Sequence, residues 1–340
     1  MKTAIVILNW NGRHLMESFL PVLIESLDEN SELIIADNAS SDDSVKWLQQ
    51  TYPSIKIIIN TSNEGFAKGY NTALEQVHAD YFLLLNSDVE VTQGWLNPLV
   101  KYLEEHPEVA VCQPKLRWQK SKDYFEYGGA AGGYIDQLGY PFCRGRIFGS
   151  IEIDSGQYEN PVPVFWASGA CMLVRSSVFK AAGGFDPLFF AHMEEIDLCW
   201  RIRNMDHEIM CVPESIIYHV GGATLPKNNP GKTYLNFRNN LSMLYKNLPA
   251  NRLYSVIFLR LILDVIAGIK FLFEGHWRDC LAVFRAHFSF YSRVAEKKLH
   301  RDKNLTSKHH KTIHPGMIVS DHYLFGKKKF TELEFDPIKN

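Results

Sequence analysis

The chain has 340 residues, room for one large domain with an appendage or for two, and its formal charge of −2 excludes the global basic surface of a nucleic-acid binder. Its six cysteines (Cys112, Cys143, Cys171, Cys199, Cys211, Cys280) are scattered with no Cys-x-x-Cys pair, which speaks against a zinc knuckle or a disulfide framework and for reduced, mostly buried thiols. The apolar run Ala4 to Leu8 is too short for a signal-peptide core and about right for a buried strand, so residence in the cytosol is the expectation.

The run over residues 3–8 is followed by helical spacing over 13–27 (Leu15, Phe19, Leu23, Leu27) and by a second apolar run, Leu33 to Ala36, ending at Asp37. A helix around Ser44 to Gln50, a strand at Ile55 to Ile59, a helix at Gly65 to Val77 and the strand Tyr81 to Leu85 continue the alternation. Nearly all-apolar strands alternating with helices predict an α/β fold with a mostly parallel central sheet covered on both faces. Ligands of such sheets bind at the carboxyl ends of the strands. Those ends here are small and polar: Asn9-Trp10-Asn11-Gly12, Asp37-Asn38-Ala39-Ser40, Asn60 to Gly65, and Asn86-Ser87-Asp88.

Between Tyr124 and Asn160 periodicity fades, and the glycine-rich stretch 128–133 predicts a mobile loop or hairpin, a candidate lid. Strand character returns at Trp166 to Val174. Glu208 to Val212 and Ile216 to Tyr218 read as two more short strands, the second leading into His219-Val220-Gly221-Gly222-Ala223-Thr224. Leu253 to Phe273 is very apolar, yet Arg260, Asp264 and Lys270 interrupt it, and a spanning helix would bury those charges at high cost. Two readings of this segment stand side by side: an amphipathic helix in a membrane interface, or a helical hairpin packed on the catalytic domain or on a second copy in a homodimer. Aromatic and basic residues continue from Trp277 through Lys297 and Lys298 to Arg301, and Lys308 to Lys311 with Lys327 to Lys329 predict a basic, flexible tail able to meet anionic lipid. The expected divisions are 1–248, 249–300 and 301–340.

Chemistry concentrates in Phe185 to Arg201, where Glu194, Glu195 and Asp197 open a predicted helix. Glu194 and Asp197 share a face with Arg201, so Asp197 has an ion pair with Arg201 as its plain reading. A helix start tolerates carboxylates on its own account. The apolar residues around them (Phe185, Phe189, Phe190, Leu198, Trp200) add the setting in which a carboxylate is poised for proton transfer, the signature of a general base. Asp88, following a buried strand, is placed to meet Mg²⁺ or Mn²⁺ on a diphosphate. The loop Asn63 to Asn71 offers Gly65 and Gly69 for close backbone approach and Lys68 for phosphate, but it has no P-loop spacing, and no Gly-x-Gly-x-x-Gly follows any strand. Arg238 reads most simply as a helix-surface arginine.

In order, Val6 to Gly12, Asp37 to Ser40, Asn63 to Ala67, Asn86 to Asp88, Gly183 to Asp186 and Glu194 to Arg201 closely resemble family 2 glycosyltransferases, most of all their rhamnosyltransferase-like branch, over the first three quarters of the chain. The resemblance implies a GT-A type nucleotide-sugar-binding domain with a C-terminal helical extension. It further implies inverting, metal-dependent hexosyl transfer from a dTDP- or UDP-linked sugar, and the amphipathic helix and basic tail suggest a cell-surface glycan or polyprenyl-linked acceptor at the inner face of the membrane. By resemblance, Asn9, Asn11, Asp37, Asn63, Gly65, Lys68, Asn71, Asn86 and Arg238 serve the nucleotide sugar, with Asp37 on the nucleotide base. Asp88 and His219 hold Mn²⁺ or Mg²⁺, and Glu195, with Glu194 and Asp197, supplies the base. Two departures stand out: Asn86 replaces the first aspartate of the usual triplet, and Glu194-Glu195 replaces Glu-Asp. They keep a catalytically degenerate scaffold as the alternative. A sugar-nucleotide pyrophosphorylase would need a glycine-rich, arginine-containing N-terminal loop, which is absent.

Overall fold

The computed structural model describes residues 1–221, 229–296, 301 and 310–335. Strands β1 (Thr3–Asn9), β2 (Ser31–Asp37), β3 (Lys56–Ile59) and β4 (Tyr81–Leu85) alternate with helices α1 (Arg13–Glu25), α2 (Ser44–Thr51) and α3 (Gly65–Leu74). They pair in parallel in the order β3-β2-β1-β4, and the register sets Asn9 beside Asp37 at the carboxyl edge. Alternate residues of these strands face opposite ways: Ala4, Val6, Ile34 and Ala36 pack with Ala67, Tyr70 and Ala73 of α3. Ile5, Ile7, Leu33 and Ile35 pack with Met16, Leu20 and Leu23 of α1 and with Leu48 of α2. Both faces are therefore covered, and this is why the strands read as unbroken apolar runs.

After β4 come β5 (Val89–Val91), α4 (Leu96–Glu105), β6 (Val109–Trp118) and β7 (Ser121–Phe125). The next segment, expected as a mobile loop or hairpin, takes the hairpin form: β8 (Gly133–Asp136), β9 (Pro141–Cys143), β10 (Arg146–Ile147) and β11 (Ser150–Ile151) pair antiparallel in succession as a second sheet. The glycines there serve close packing, and the lid expectation is corrected. A Cβ on Gly133 would run into the Trp166 indole, and Ala130 and Ala131 are fully buried.

The chain returns to the main sheet through β12 (Val162–Pro163) and β13 (Cys171–Arg175), then forms α5 (Ser176–Ala181), α6 (Glu194–Asn204) and β14 (Glu208–His219). Strand β13 lies antiparallel between β4 and β6, so the ten-stranded sheet is parallel in its N-terminal half and mixed as a whole. The two short strands expected around Pro213 are one strand, because a register shift between Val212 and Ile216 absorbs the proline.

Helix α7 (Pro230–Asn247) leads into the hairpin α8 (Ala250–Phe273) and α9 (Trp277–Ala295), which packs on it. Residues 310–335, expected as part of a flexible basic tail, are folded into the molecule. β15 (Ile313–His314) pairs with β8, α10 (Ile318–Tyr323) follows it, and Phe330 and Phe335 pack on Tyr134 and Phe142. Apolar residues set among the lysines decide this, since burying them outweighs the local charge. Gly222 to Thr224, Lys297, Lys298, Lys308 and His309 lie outside the described residues.

Candidate active site

At the ends of β1 and β2, Asn9 and Asp37 are buried, and Asn9 donates to Asp37 Oδ2 at 3.0 Å. Asp37 Oδ1 accepts the Ser40 N–H at 2.9 Å, and Asn11 accepts from the Ser41 and Asp42 backbone. An amide ladder continues along the same edge. Asn38 donates to Asn63 at 2.9 Å, and Asn60 donates to Asn38 at 3.1 Å. These bonds make the strand ends a rigid rim, with Asp37 still able to accept further bonds.

The start of α3 is held from the other side. Gly65, with a positive φ of 86°, lies so close to the Phe190 carbonyl that any side chain would strike it, and Phe66 N–H donates to that carbonyl at 2.6 Å. The helix N-terminus is thus already engaged by protein. Lys68 pairs with Glu64 on the half-exposed surface, and Asn71 bonds both the N–H and the carbonyl of Phe185.

Strand β14 ends beside β5 with His219 in register with Val89, which sets the imidazole against Asp88. His219 Nε2 is 3.1 Å from Asp88 Oδ1, Nδ1 is 3.3 Å from Glu126 Oε1, and Asn86 Nδ2 is 3.5 Å from Nε2. Burial alone would favour neutral imidazole, but the Glu126 and Asp88 carboxylates outweigh it and hold His219 up to about 10. Both carboxyls are lowered against their own burial, chiefly by the His219 charge. Glu126 went unnoticed in the sequence, for it stands alone between β7 and the glycines and only the fold brings it to His219.

No cage of three His, Cys, Asp or Glu side chains converges among the described residues. A diphosphate-bound Mg²⁺ or Mn²⁺ does not require one, since it takes one or two protein carboxylates and completes its shell with phosphate and water. Asp88, with His219 behind it, has the donor chemistry for that.

The loop entering α6 is unusual. Phe190, His192 and Met193, none of them glycine, adopt positive φ values of 68°, 69° and 73°. Each such residue costs on the order of 1–3 kcal/mol and needs support from its surroundings. Asn239, fully buried in α7, supplies it by donating to the carbonyls of Phe189, Ala191 and His192, each at 2.8 Å. Arg238 adds a bond to Phe189 O at 3.0 Å; it is buried and faces this loop, in contrast to the expected surface arginine. Asn239 was within view in the sequence, but nothing there marked it above its neighbour.

The three acidic side chains of α6 divide sharply. Asp197 is wholly buried and meets Arg201 Nε at 2.9 Å, Lys246 Nζ at 2.9 Å and Asn247 Nδ2 at 2.8 Å. Despite burial, Arg201 and Lys246 hold it below the usual carboxylate range. Glu194 and Glu195 each have a buried Oε2 with no hydrogen-bond partner among the described residues. Burial, then the charge of Glu195, pushes Glu194 well up; burial raises Glu195 to about 7 although backbone N–H groups of the helix start oppose it. Glu195 is only partly covered, and its Cβ lies 4.0 Å from where a Cβ on Gly169 would stand. Next to it, the Ala170 carbonyl accepts the Asn86 N–H at 3.0 Å, so the α6 carboxylates and the Asn86 to Asp88 turn border the same edge.

Residues 4–181 match the profile of Glycosyl transferase family 2. The chain belongs to this family. Over 226 residues it is 27% identical to the N-acetylglucosaminyl-diphospho-decaprenol L-rhamnosyltransferase of Mycobacterium tuberculosis, covering 61% of this chain and 72% of the relative. Rhamnosyltransferase WbbL of Escherichia coli is 28% identical over 210 residues, 59% of this chain and 78% of its own. The low-salt glycan biosynthesis hexosyltransferase Agl10 of Haloferax volcanii is 23% identical over 313 residues, 90% of this chain and 92% of its own. Among solved structures, mannosyltransferase PcManGT from Pyrobaculum calidifontis, in complex with GDP-Man and Mn²⁺, superimposes with a TM-score of 0.52 at 13% identity over 85% of this chain and 87% of its own. GalNAc-T7 with UDP, GalNAc and Mn²⁺ gives 0.57 at 14% identity over 72% of this chain and 47% of its own. The fold is that of the GT-A glycosyltransferases, and two of these three sequence relatives are rhamnosyltransferases, in keeping with the branch that the sequence resembles.

Proposed function

We propose that this glycosyltransferase moves a sugar with inversion from a nucleoside-diphosphate sugar to a hydroxyl of a glycan or polyprenyl-linked acceptor, with Glu195 as the base. The observation that carries the reading is the division within α6. Asp197 is saturated with cations, while Glu195 keeps an Oε2 with no hydrogen-bond partner among the described residues, is partly open, and is raised to about 7, where a base is about half ionised near neutral pH and able to hold a proton. Glu195 takes the proton of the acceptor hydroxyl as its oxygen bonds to the anomeric carbon from the face opposite the donor diphosphate. The bond from that carbon to the diphosphate oxygen breaks, and the nucleoside diphosphate leaves with the electron pair. Asp37 and the amide rim orient the nucleotide, and Asp88 would hold Mn²⁺ or Mg²⁺, with the protonated His219 as its hydrogen-bond partner. A bound divalent ion at that place supplies charge neutralisation to the departing diphosphate.

Two sequence relatives are rhamnosyltransferases, one named for a decaprenol-linked substrate, which supports dTDP-rhamnose as the first donor to try and a lipid-linked acceptor. The test is calorimetry of dTDP-rhamnose and UDP-sugars with and without Mn²⁺ on wild type and Asp88→Ala, paired with a transfer assay on Glu195→Gln. One donor should bind only with metal and lose affinity in Asp88→Ala, and Glu195→Gln should bind that donor without transferring it. Failure of every nucleotide sugar to bind would overturn the reading in favour of a degenerate scaffold.

A further inference from the structure

The inner face of the α8–α9 hairpin sets charged groups among the buried Leu253, Val256, Val283 and Phe290. Arg260 and Asp264 are buried there, Asp264 accepts from Tyr140 at 3.1 Å and lies 3.0 Å from His287 Nε2, and Arg260 binds the Leu138 carbonyl at 3.1 Å and Asn240. A second set of apolar residues faces outward. On α8, Tyr254, Phe258, Ile262, Ile266 and Phe273 recur at helical spacing with exposures of 82%, 62%, 44%, 56% and 89%. On α9, Trp277, Phe284 and Phe288 do the same at 55%, 52% and 79%. Exposed aromatic and branched side chains repeating along two neighbouring antiparallel helices form a continuous patch rather than scattered surface residues.

We infer that this outer face docks, lying flat, on an anionic lipid bilayer. Among the described residues no helix is long and apolar enough to cross a membrane, so burial within the headgroup and upper acyl region is the geometry that fits. Charge selects lipid over a second copy of the chain. Lys270, Arg278 and Arg285 are exposed beside the apolar stripes. The hairpin's acidic residues are Asp264, Glu274 and Asp279; Asp264 and Asp279 are buried, and Glu274 is paired with Lys270 at 2.8 Å. A two-fold contact through this face would set arginines near their own symmetry mates with no carboxylate left to neutralise them. Lipid phosphates supply that charge.

The docked face is tied to the chemistry. Arg260 binds Asn240 of α7, and the adjacent Asn239 holds the loop that positions Glu195. The hairpin thereby fixes the orientation of the base relative to the bilayer, which extends the proposed lipid-linked acceptor without depending on it.

The experiment is vesicle co-sedimentation of the full chain with phosphatidylglycerol–phosphatidylcholine vesicles and with phosphatidylcholine alone. It compares wild type, Phe258→Asp/Phe288→Asp and Arg278→Glu/Arg285→Glu. Wild type should partition onto the anionic vesicles, the phenylalanine pair should lose about tenfold or more on both vesicle types, and the arginine pair should lose about tenfold on anionic vesicles only. Absence of wild-type binding to either vesicle overturns the inference. So does a wild-type dimer, seen by sedimentation velocity, that the phenylalanine pair dissociates, because the face would then belong to a second copy. Metal-dependent donor binding, followed in parallel, shows that the variants are folded. Its failure in wild type would strike the transferase reading while leaving the vesicle result intact.

Discussion

Two buried acidic clusters in this protein are built to opposite specifications. Under the hairpin, Asp264 is enclosed by Arg260, His287 and Tyr140, and its partners hold it ionised. At the head of α6, Glu194 and Glu195 make no ion pair among the described residues, and each retains an oxygen without a hydrogen-bond partner there. The first arrangement spends each carboxylate on structure. The second leaves a carboxylate short of its bonds, which costs stability and keeps a basic oxygen free for a substrate proton. Asp197, only two positions beyond Glu195, follows the first specification, so the boundary between structure and chemistry runs through a single helical turn.

The largest expected effect comes from removing the free carboxylate. Glu195→Gln keeps the shape and loses the base, so the transfer rate should fall by about 10²–10⁴-fold, measured at saturating donor and acceptor with unchanged circular dichroism. A loss of less than about threefold would move the base elsewhere on the helix, to Glu194 first. The matching change in the satisfied cluster acts on the fold. Asp264→Ala leaves Arg260 buried without its carboxylate and should cost about 3–5 kcal/mol in urea unfolding. Replacing the pair together, Arg260→Met with Asp264→Leu, should cost less than Asp264→Ala, because the buried guanidinium charge goes as well, while the lost bonds to Tyr140, His287, Asn240 and the Leu138 carbonyl keep it from being neutral.

How far this contrast could be read from the sequence depends on whether the partners are near in the chain. The parallel half of the sheet and the polar strand ends at Asn9, Asp37 and Asp88 were legible, since apolar runs of strand length alternate with helical spacing. The carboxylate helix was legible too, and the i, i+4 spacing of Asp197 and Arg201 foretold their ion pair. Lys246, lying 49 residues from Asp197, was not, and neither was Glu126 beside His219. Such pairs are made by topology: β14 must run beside β5 before His219 can meet Asp88 at all. The glycines at 128–133 misled for a related reason, since a glycine that admits a neighbouring Trp166 looks in sequence like one that frees a loop.

A change between the two clusters in severity is available at Asn239, which supports the strained approach to Glu195 without touching the reaction. Asn239→Ala removes three hydrogen bonds to carbonyls of that loop. It should cost about 1–3 kcal/mol of stability. The loop's left-handed residues should relax, so kcat should fall with little change in donor affinity, a split that simple destabilisation would not give.

The smallest effect has the clearest sign. Glu195 titrates near 7 in the folded protein, above the 4.5 of an unperturbed glutamate, so the folded state binds its proton more tightly than the unfolded chain does. The contribution of this group to stability is therefore complete below about pH 4.5 and is lost as pH rises through about 7. Glu195→Gln cannot ionise and escapes that loss. Thermal melts should show the variant gaining on wild type between pH 5 and 8, by on the order of 1 kcal/mol at the upper end, while wild-type transfer activity rises over the same interval as the base loses its proton. Stability of the variant that tracks wild type from pH 5 to 8 would mean that Glu195 is already ionised across that interval, as Asp197 and Asp264 are, and the distinction between the two clusters would fail at the residue on which the proposed chemistry rests.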